Sequence, residues 1–451
     1  MTPDFAYSLS PDAVAAEGCG EGEALRPSAA LQKIAALPPH PTVNQAWRRG
    51  FALLWILLLP LFAHAQIATA TPGDDLDVAL ITFGPGEEVW ERFGHNAILV
   101  RDGSAGTERL YNYGMFDFAQ ENFYLNFARG RMLYRISVSD PAEDYPIYRT
   151  EGRWIVEQDL HLAPAQRANL RDFLDWNARP ENAQYSYEYF RANCSTRVRD
   201  ALNDAVGGAI RDQLIAPSRG FTYRMDTLRL MRPELALMLG MDAGLGPFAD
   251  QRLSFWDESF VPMEFMRHMR DIRVHDAGGQ LVPLVARETQ LAAARVPEPL
   301  DFPPQWFWRA FAAGVMAALI LLGLSRLRAR AWARAAFAML AGPIALACGL
   351  GGIVLVVLWT LTDHVSAWRN ENLLLLNPLC LLLLPAWFGT LRRNWQPSRF
   401  AQRVAVTIAT LAGLAFFVKV FPAFVQDNRM WIALLLPVHA ALAASLYWRA
   451  R

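Results

Sequence analysis

Asn193-Cys194-Ser195-Thr196-Arg197-Val198-Arg199-Asp200-Ala201-Leu202 carries a cysteine into the first turn of an amphipathic helix. Val198 and Leu202 follow Cys194 at four-residue steps along one helical face, and Gly207-Gly208 supply the stop. Asn193 falls at the N-cap. At such a position the unpaired N–H groups and the positive end of the helix dipole favour thiolate over thiol, and a neighbouring imidazolium would favour it further. A partner of that kind stands about a hundred residues earlier, in Gly94-His95-Asn96-Ala97-Ile98-Leu99-Val100. A glycine followed by a short apolar run reads as a buried strand, so His95 opens that strand on rigid backbone. Alone, each residue has a plain structural alternative, a small buried hydrophobe for the cysteine and a core histidine for His95. Taken together, the two settings read as a Cys-His nucleophilic centre.

Cysteine usage sharpens this expectation. The four cysteines are Cys19, Cys194, Cys348 and Cys380. Cys19 precedes an export signal, and the last two lie in apolar runs of membrane-span length. The exported soluble part therefore keeps Cys194 alone, with no thiol to pair with in an oxidising compartment.

A formal net charge of zero over 451 residues hides an asymmetry. From Gln305 onward only three acids, Asp363, Glu371 and Asp427, stand against fourteen Arg and Lys, and these cations flank apolar runs. That distribution speaks against nucleic acid as a partner, because no basic face forms on a soluble domain. Near the other end, Arg48-Arg49, an apolar stretch over residues 51–63 and Ala63-His64-Ala65-Gln66 have the layout of a secretory signal peptide cut after Ala65. The long leader ahead of it is unusual, and translation is expected to begin nearer Val43.

Five apolar segments fill the C-terminal third, at about 306–324, 336–361, 373–391, 404–424 and 430–448, each long enough to cross a bilayer as a helix. The links holding Arg326, Arg328, Arg330 and Arg334, then Arg392, Arg393, Arg399 and Arg403, alternate with links holding Arg369 and Arg429. The positive-inside rule then puts the C-terminus in the cytoplasm and residues 66–304 outside it. Four units follow: leader and signal peptide at 1–65, a Cys-His catalytic domain at 66–212, an extension and linker at 213–304, and a five-helix transmembrane domain at 305–451.

The exported part reads as α+β. Strands are expected at 77–83, 95–101, around 109–113, and at 131–139, where Met132, Tyr134, Ile136 and Val138 alternate. Helices are expected at 117–129, ending on Gly130, and at 165–177, with Leu170, Phe173 and Leu174 on one face after Pro164. Tyr185, Tyr187 and Tyr189 alternate into a last strand that delivers the chain to Cys194. Residues 213–300 are less regular and read as an extension packed between core and membrane. No phosphate-cradling glycine loop and no metal-ligand spacing is present, and neither metal nor cofactor is called for; His161, His268 and His275 are isolated.

A histidine opening a strand, followed by Asn-Cys opening a helix, resembles papain-like machinery with its two elements in swapped order. The circularly permuted branch of the NlpC-type and papain-like superfamily, which includes lecithin retinol acyltransferase, has this arrangement. More closely, Phe93-Gly94-His95-Asn96-Ala97, Tyr111-Asn112-Tyr113-Gly114-Met115-Phe116-Asp117-Phe118, Asn193-Cys194-Ser195-Thr196 and Asn370-Glu371-Asn372-Leu373-Leu374 together resemble the bacterial lipoprotein N-acyltransferase Lnb family. The resemblance covers most of the chain after residue 75. It implies a permuted papain-like exported domain on an all-α membrane domain in the inner membrane, with the catalytic domain in the periplasm. It also implies transfer of an acyl chain from the diacylglyceryl group of a lipoprotein to its N-terminal amine, with His95 and Cys194 as the catalytic pair. Lipoproteins or phospholipids of the membrane are then the partners. The long N-terminus and the 213–300 region depart from the family pattern.

On the residues themselves, Asn112 is the candidate to orient the imidazole, with turn or sheet-edge duty as its alternative. Asn193 either orients the site or caps the helix, and the cap is favoured. Tyr113 is carried as a substrate contact. His364, Asn370 and Asn372 share a short polar loop with Asp363 and Arg369 on the catalytic side of the membrane, and read as a headgroup or lipid-anchor contact or as a linker. Two other function classes compete: an exported Cys-His hydrolase of cell-wall peptides or lipids, and a non-catalytic envelope assembly protein. Five membrane spans weigh against a wall hydrolase, which needs a single anchor, and the joint presence of His95 and Cys194 weighs against a non-catalytic role.

Overall fold

Two consecutive apolar strands form the centre of the N-terminal domain. Leu76–Phe83 (β1) buries every residue except Asp77, and His95–Asp102 (β2) runs antiparallel to it in a register that sets Phe83 opposite His95. Leu80 and Ile98 are fully buried on one face of the sheet, as are Ile81 and Leu99 on the other. Burying each such side chain contributes about 1.5–3 kcal/mol, so a run without polar alternation is stable only between two covering layers. The computed structural model describes residues 71–116 and 120–447. The expected signal peptide and its cleavage site lie outside these residues.

In chain order there follow Thr107–Met115 (β3), Phe123–Arg129 (α1), Leu133–Ser139 (β4), Pro141–Thr150 (α2), Ile155–Leu160 (β5), Pro164–Asn177 (α3), Gln184–Ser186 (β6) and Cys194–Ala205 (α4). The sheet has seven strands in the order Val285–Ala292, β5, β1, β2, β3, β4, β6, and every pairing is antiparallel. One face is covered by α3 and α4 through Leu170, Leu174, Val198 and Leu202. The other is covered by α2, with Tyr145 and Tyr148 packed on Ile81, Phe83 and Leu110.

Several elements differ from the sequence expectation. Phe173 of α3 is exposed and only Leu170 and Leu174 of the expected triplet reach the core. The tyrosine strand stops at Ser186. Tyr187 still bonds back to Met132 O, but Glu188 and Ala192 then close a tight bridge that turns the chain into α4. Residues beyond 212 are woven into the domain: Val285–Ala292 forms one edge of the main sheet, while Phe265, Met269, Ile272 and Leu284 complete the core under α4.

The C-terminal domain is helical, with four candidate spans among the described residues where five were expected: Phe307–Arg326, Ala331–Leu361, Glu371–Gly389 and Arg399–Val420. The fifth apolar segment forms Arg429–Ser445, a helix of 17 residues, or about 25 Å against a hydrocarbon core of about 30 Å. The third span is not one α-helix. It consists of the 3-10 turns Glu371–Leu374 and Pro378–Leu383 and the short helix Leu384–Gly389. Pro378 and Pro385 each lack an N–H, which breaks the ladder. Such backbone is tolerated at membrane depth only inside protein, and this span is 44% buried against 22–28% for the other three.

Both domains belong to one compact unit from Ala70 onward. The loop after the second span holds them together. Asp363 N donates to Arg129 O at 2.7 Å, Gly246 N donates to Ser366 O at 2.7 Å, and Arg131 pairs with Asp363 at 2.7 Å.

Candidate active site

The register of the sheet brings the C-terminal end of β1, the start of β2, the end of β3 and the start of β5 to one edge, and the N-terminus of α4 meets them there. Asn193 caps α4: its Oδ1 accepts from Thr196 N at 2.9 Å, and Thr196 Oγ1 accepts from Asn193 N at 2.8 Å. The same side chain donates to Tyr189 O and Phe260 O at 3.0 and 2.8 Å, so all of its polar atoms are engaged in holding the helix start. Ser195 ties that start to the sheet, donating to Asn96 Oδ1 at 2.8 Å, while Asn96 donates to Thr82 Oγ1 at 2.8 Å. Thus α4 is fixed to β2 at the residue next to His95.

Cys194 is half-buried, and its sulfur faces the backbone N–H groups of Asn96 and Ser195. These donors lower the thiol pKa, but burial outweighs them and pushes it above its ordinary value. The expectation of a resting thiolate is therefore corrected. The helix terminus does favour the anion, yet desolvation disfavours it more. Room for the sulfur comes from β3, where a bulge between Asn112 and Met115 places Gly114 at φ +84°. A Cβ on Gly114 would lie 3.1 Å from Cys194 Cβ.

The imidazole is held from the other side. His95 Nε2 lies 3.0 Å from Asn112 Oδ1. Asn112 Nδ2 donates to Ser139 Oγ at 2.9 Å and Asp144 Oδ2 at 3.2 Å, and Ser139 donates to Asp144 at 2.6 Å. Those acceptors fix the amide's orientation, so Oδ1 faces the ring, Nε2 carries the proton, and Nδ1 keeps its lone pair. The ring stacks on Phe83 at 5.8 Å, and Phe83 stacks on Tyr148 at 3.7 Å. Burial against this shelf lowers the His95 pKa to about 4, despite the opposing effect of the hydrogen bond that His95 donates to Asn112 Oδ1. Among the described residues no hydrogen bond joins His95 to Cys194; Asn96 links the two through its backbone N–H. The resting pair is neutral imidazole and neutral thiol.

Three contributors were not read from the sequence. Arg153, buried at the start of β5, donates to Gly84 O at 2.8 Å and lies over the Tyr148 ring at 4.6 Å; its charge lowers the pKa of both His95 and Cys194. Ser139 and Asp144 stand behind Asn112. Their only trace in the sequence is Ser139-Asp140-Pro141, an N-cap followed by proline that announces α2 and so brings Asp144 over β3.

The remaining expected contacts lie elsewhere. Tyr113 is buried and donates to Asn177 Oδ1 at 2.7 Å. Asn370 and Asn372 are buried at the junction of the two domains. Asn370 donates to Ala243 O and Gly244 O at 2.9 and 2.8 Å, and Asn372 donates to Ala243 O at 3.0 Å. His364 Nε2 lies 3.0 Å from Phe127 O, and its ring stacks on Tyr189 at 6.2 Å. The structure thus gathers His95, Asn112 and Cys194 at one edge, while Asn370, Asn372 and His364 join the domains.

Residues 63–233 match the family model described as the Lnb N-terminal periplasmic domain, and residues 305–449 match the one described as the Lnb transmembrane domain. No curated protein and no solved structure matches the chain.

Proposed function

The chain belongs to the Lnb family, a membrane protein with a periplasmic domain, and on that premise we propose that it is a Cys-His acyltransferase of the inner membrane. In this reading the exported domain is a permuted papain-like fold, and the substrate is a membrane lipoprotein whose diacylglyceryl group supplies the acyl chain to its own N-terminal amine. The observation that carries it is the placement of Cys194 at a helix N-terminus beside His95, with Asn112 fixing the ring, in a domain hydrogen-bonded to apolar helices of span length.

As Cys194 Sγ attacks the ester carbonyl, His95 Nδ1 takes the thiol proton and the S–C bond forms. The glycerol C–O bond then breaks, and the leaving oxygen takes the proton from His95. That leaves an acyl thioester and a lyso-lipid hydroxyl. The α-amine next attacks the thioester; the N–C bond forms, the C–S bond breaks, and a proton passes from the amine through His95 to sulfur. Because amine and ester belong to one anchored molecule, the second attack proceeds at high effective concentration. Backbone N–H groups at the start of α4 would stabilise the charge that develops on the carbonyl oxygen, a role worth about 3 kcal/mol per donor.

The test uses the purified full chain in detergent or nanodiscs with a diacylated lipopeptide and mass spectrometry of the product. An N-acylated lyso-lipopeptide is expected, together with a thioester adduct on Cys194 and loss of both in Cys194→Ala. Free fatty acid without N-acyl product would make the chain a lipase, and activity surviving Cys194→Ala would remove the nucleophile.

A further inference from the structure

Among the described residues, the helix α1 leaves apolar side chains uncovered around much of its circumference. Tyr124, Leu125 and Phe127 are 75, 47 and 43% exposed, and the adjoining Met115 and Leu133 are each 41% exposed. No charged side chain interrupts residues 123–128. This surface has a fixed position relative to the bilayer because α1 is bonded to the loop that leaves the second span. Arg129 O accepts from Asp363 N, Phe127 O meets His364 Nε2, and a Cβ on Gly130 would lie 2.8 Å from the backbone of Asp363 and His364. Gly130, at φ +76°, ends the helix where only a residue without a side chain allows this approach.

The second span stays apolar and outward-facing to its last residue, with Trp359 44% and Leu361 71% exposed. Asp363 follows two residues later, within about 7 Å of chain. The exposed rings of α1 are thus tied to a loop that begins where this apolar helix ends, and in membrane proteins that is the level of the tyrosine and tryptophan belts.

From α1 a series of aromatic rings leads inward. Phe127 to Phe123 is 6.3 Å between centroids, Phe123 to Phe116 6.0 Å, Phe116 to Tyr134 5.2 Å and Tyr134 to Tyr187 4.2 Å. Phe116 lies two residues after Gly114, the residue in contact with Cys194.

Resting on the acyl-transfer reading, we propose that α1 is a membrane-surface helix that inserts Tyr124, Leu125 and Phe127 into the periplasmic leaflet and guides a lipid acyl chain along Phe123, Phe116 and Tyr134 to Cys194. The occupant of the guide is the acyl chain of the membrane-anchored lipoprotein, presented from the leaflet that α1 enters. A protein partner is the alternative that the experiment separates.

The full chain is reconstituted in nanodiscs containing a phospholipid with a diazirine in its acyl chain, irradiated, digested and sequenced by mass spectrometry. Label on residues 123–129, at a yield comparable to the exposed faces of the spans, is expected. Leu125→Glu with Phe127→Glu should lower that label, and turnover of bilayer-presented diacyl lipopeptide, at least tenfold, while alkylation of Cys194 stays within twofold. Label on the spans with none on 123–129 would overturn the proposal, as would full label in the double variant. Label on 123–129 in a chain that transfers no acyl group would leave the membrane contact standing and remove the acyl-transfer reading instead.

Discussion

Removing the Asn112 side chain should cost the site its imidazole orientation while leaving nucleophile and base in place. In Asn112→Ala, His95 Nε2–H loses its acceptor at 3.0 Å, and the amide that ties the ring to Ser139 and Asp144 is gone. One hydrogen bond is worth about 1 kcal/mol net, and an orphaned buried donor adds about 1–3 kcal/mol. Part of that loss falls on folding, because Asn112 is itself buried. The share felt in the transition state, about 2–3 kcal/mol, corresponds to a fall of roughly 30- to 150-fold in kcat/KM. Asn112→Asp separates orientation from mere packing. A carboxylate there keeps an acceptor for Nε2 but places a negative charge beside the ring, so the His95 pKa must rise above its native value of about 4. The assay is kcat/KM on a diacylated lipopeptide from pH 4 to 9, with thermal melts to verify folding. An acid limb that moves upward in Asn112→Asp is expected. Activity of Asn112→Ala within threefold of wild type, or an unmoved acid limb in the Asp variant, would refute the reasoning.

Folding stability should fall as pH drops from about 6.5 to 4. His95 is neutral in the fold until about pH 4, whereas the unfolded chain protonates it near 6.5, so its contribution is complete above 6.5 and is lost on acidification. The loss attributable to it is at most about 3 kcal/mol, and melting curves should show wild type losing stability relative to His95→Gln between pH 7 and pH 4.5. Gly114→Ala should fold less stably by about 1–2 kcal/mol, since φ +84° strains any Cβ there. Its methyl would also crowd Cys194 at 3.1 Å, and unchanged kcat/KM in a folded variant would contradict the contact. Alkylation of Cys194 by iodoacetamide should accelerate only toward alkaline pH, because burial raises its pKa. A reaction already at its plateau at pH 6 would show a resting thiolate instead.

The parts of the fold legible in the sequence are those whose signal is local. Strands β1 to β4 follow apolar runs bounded by turn residues, and α4 with its Asn193 cap follows a four-residue spacing and a stop at Gly207-Gly208. What was not legible depends on distant partners. Val285–Ala292 reads Val-Ala-Arg-Glu-Thr-Gln-Leu-Ala, mostly exposed, and is a strand because β5, more than a hundred residues earlier, offers it an edge. Helix α2 contains Pro146, which argues against a helix locally, yet its Tyr145 and Tyr148 are held by the sheet beneath. The third apolar segment has span length and composition, but Pro378 and Pro385 divide it. The same distinction separates the site residues. His95 and Cys194 advertise themselves by neighbours in sequence, whereas Arg153, Ser139 and Asp144 reach the site only through sheet register and helix docking.

The electrostatic state of the pair bears on why a thiol would be used here at all. With burial lowering the imidazole pKa to about 4 and raising that of the thiol, a gap between the two opposes transfer of the proton before substrate binds. A resting thiolate exposed to an oxidising compartment would be open to oxidation, and that gap withholds it. The same low imidazole pKa makes the transient imidazolium a strong acid, suited to protonating a departing glycerol oxygen. On the proposed reading, proton transfer is coupled to attack on a carbonyl whose developing charge would meet the N–H groups at the start of α4. A site built this way spends its reactivity only when an acyl ester is in contact with the sulfur. On the proposed reading, the hydrogen bonds of Asp363, Asn370 and Asn372 to the N-terminal domain hold the site beside the spans, so an ester would come to it from the bilayer next to α1.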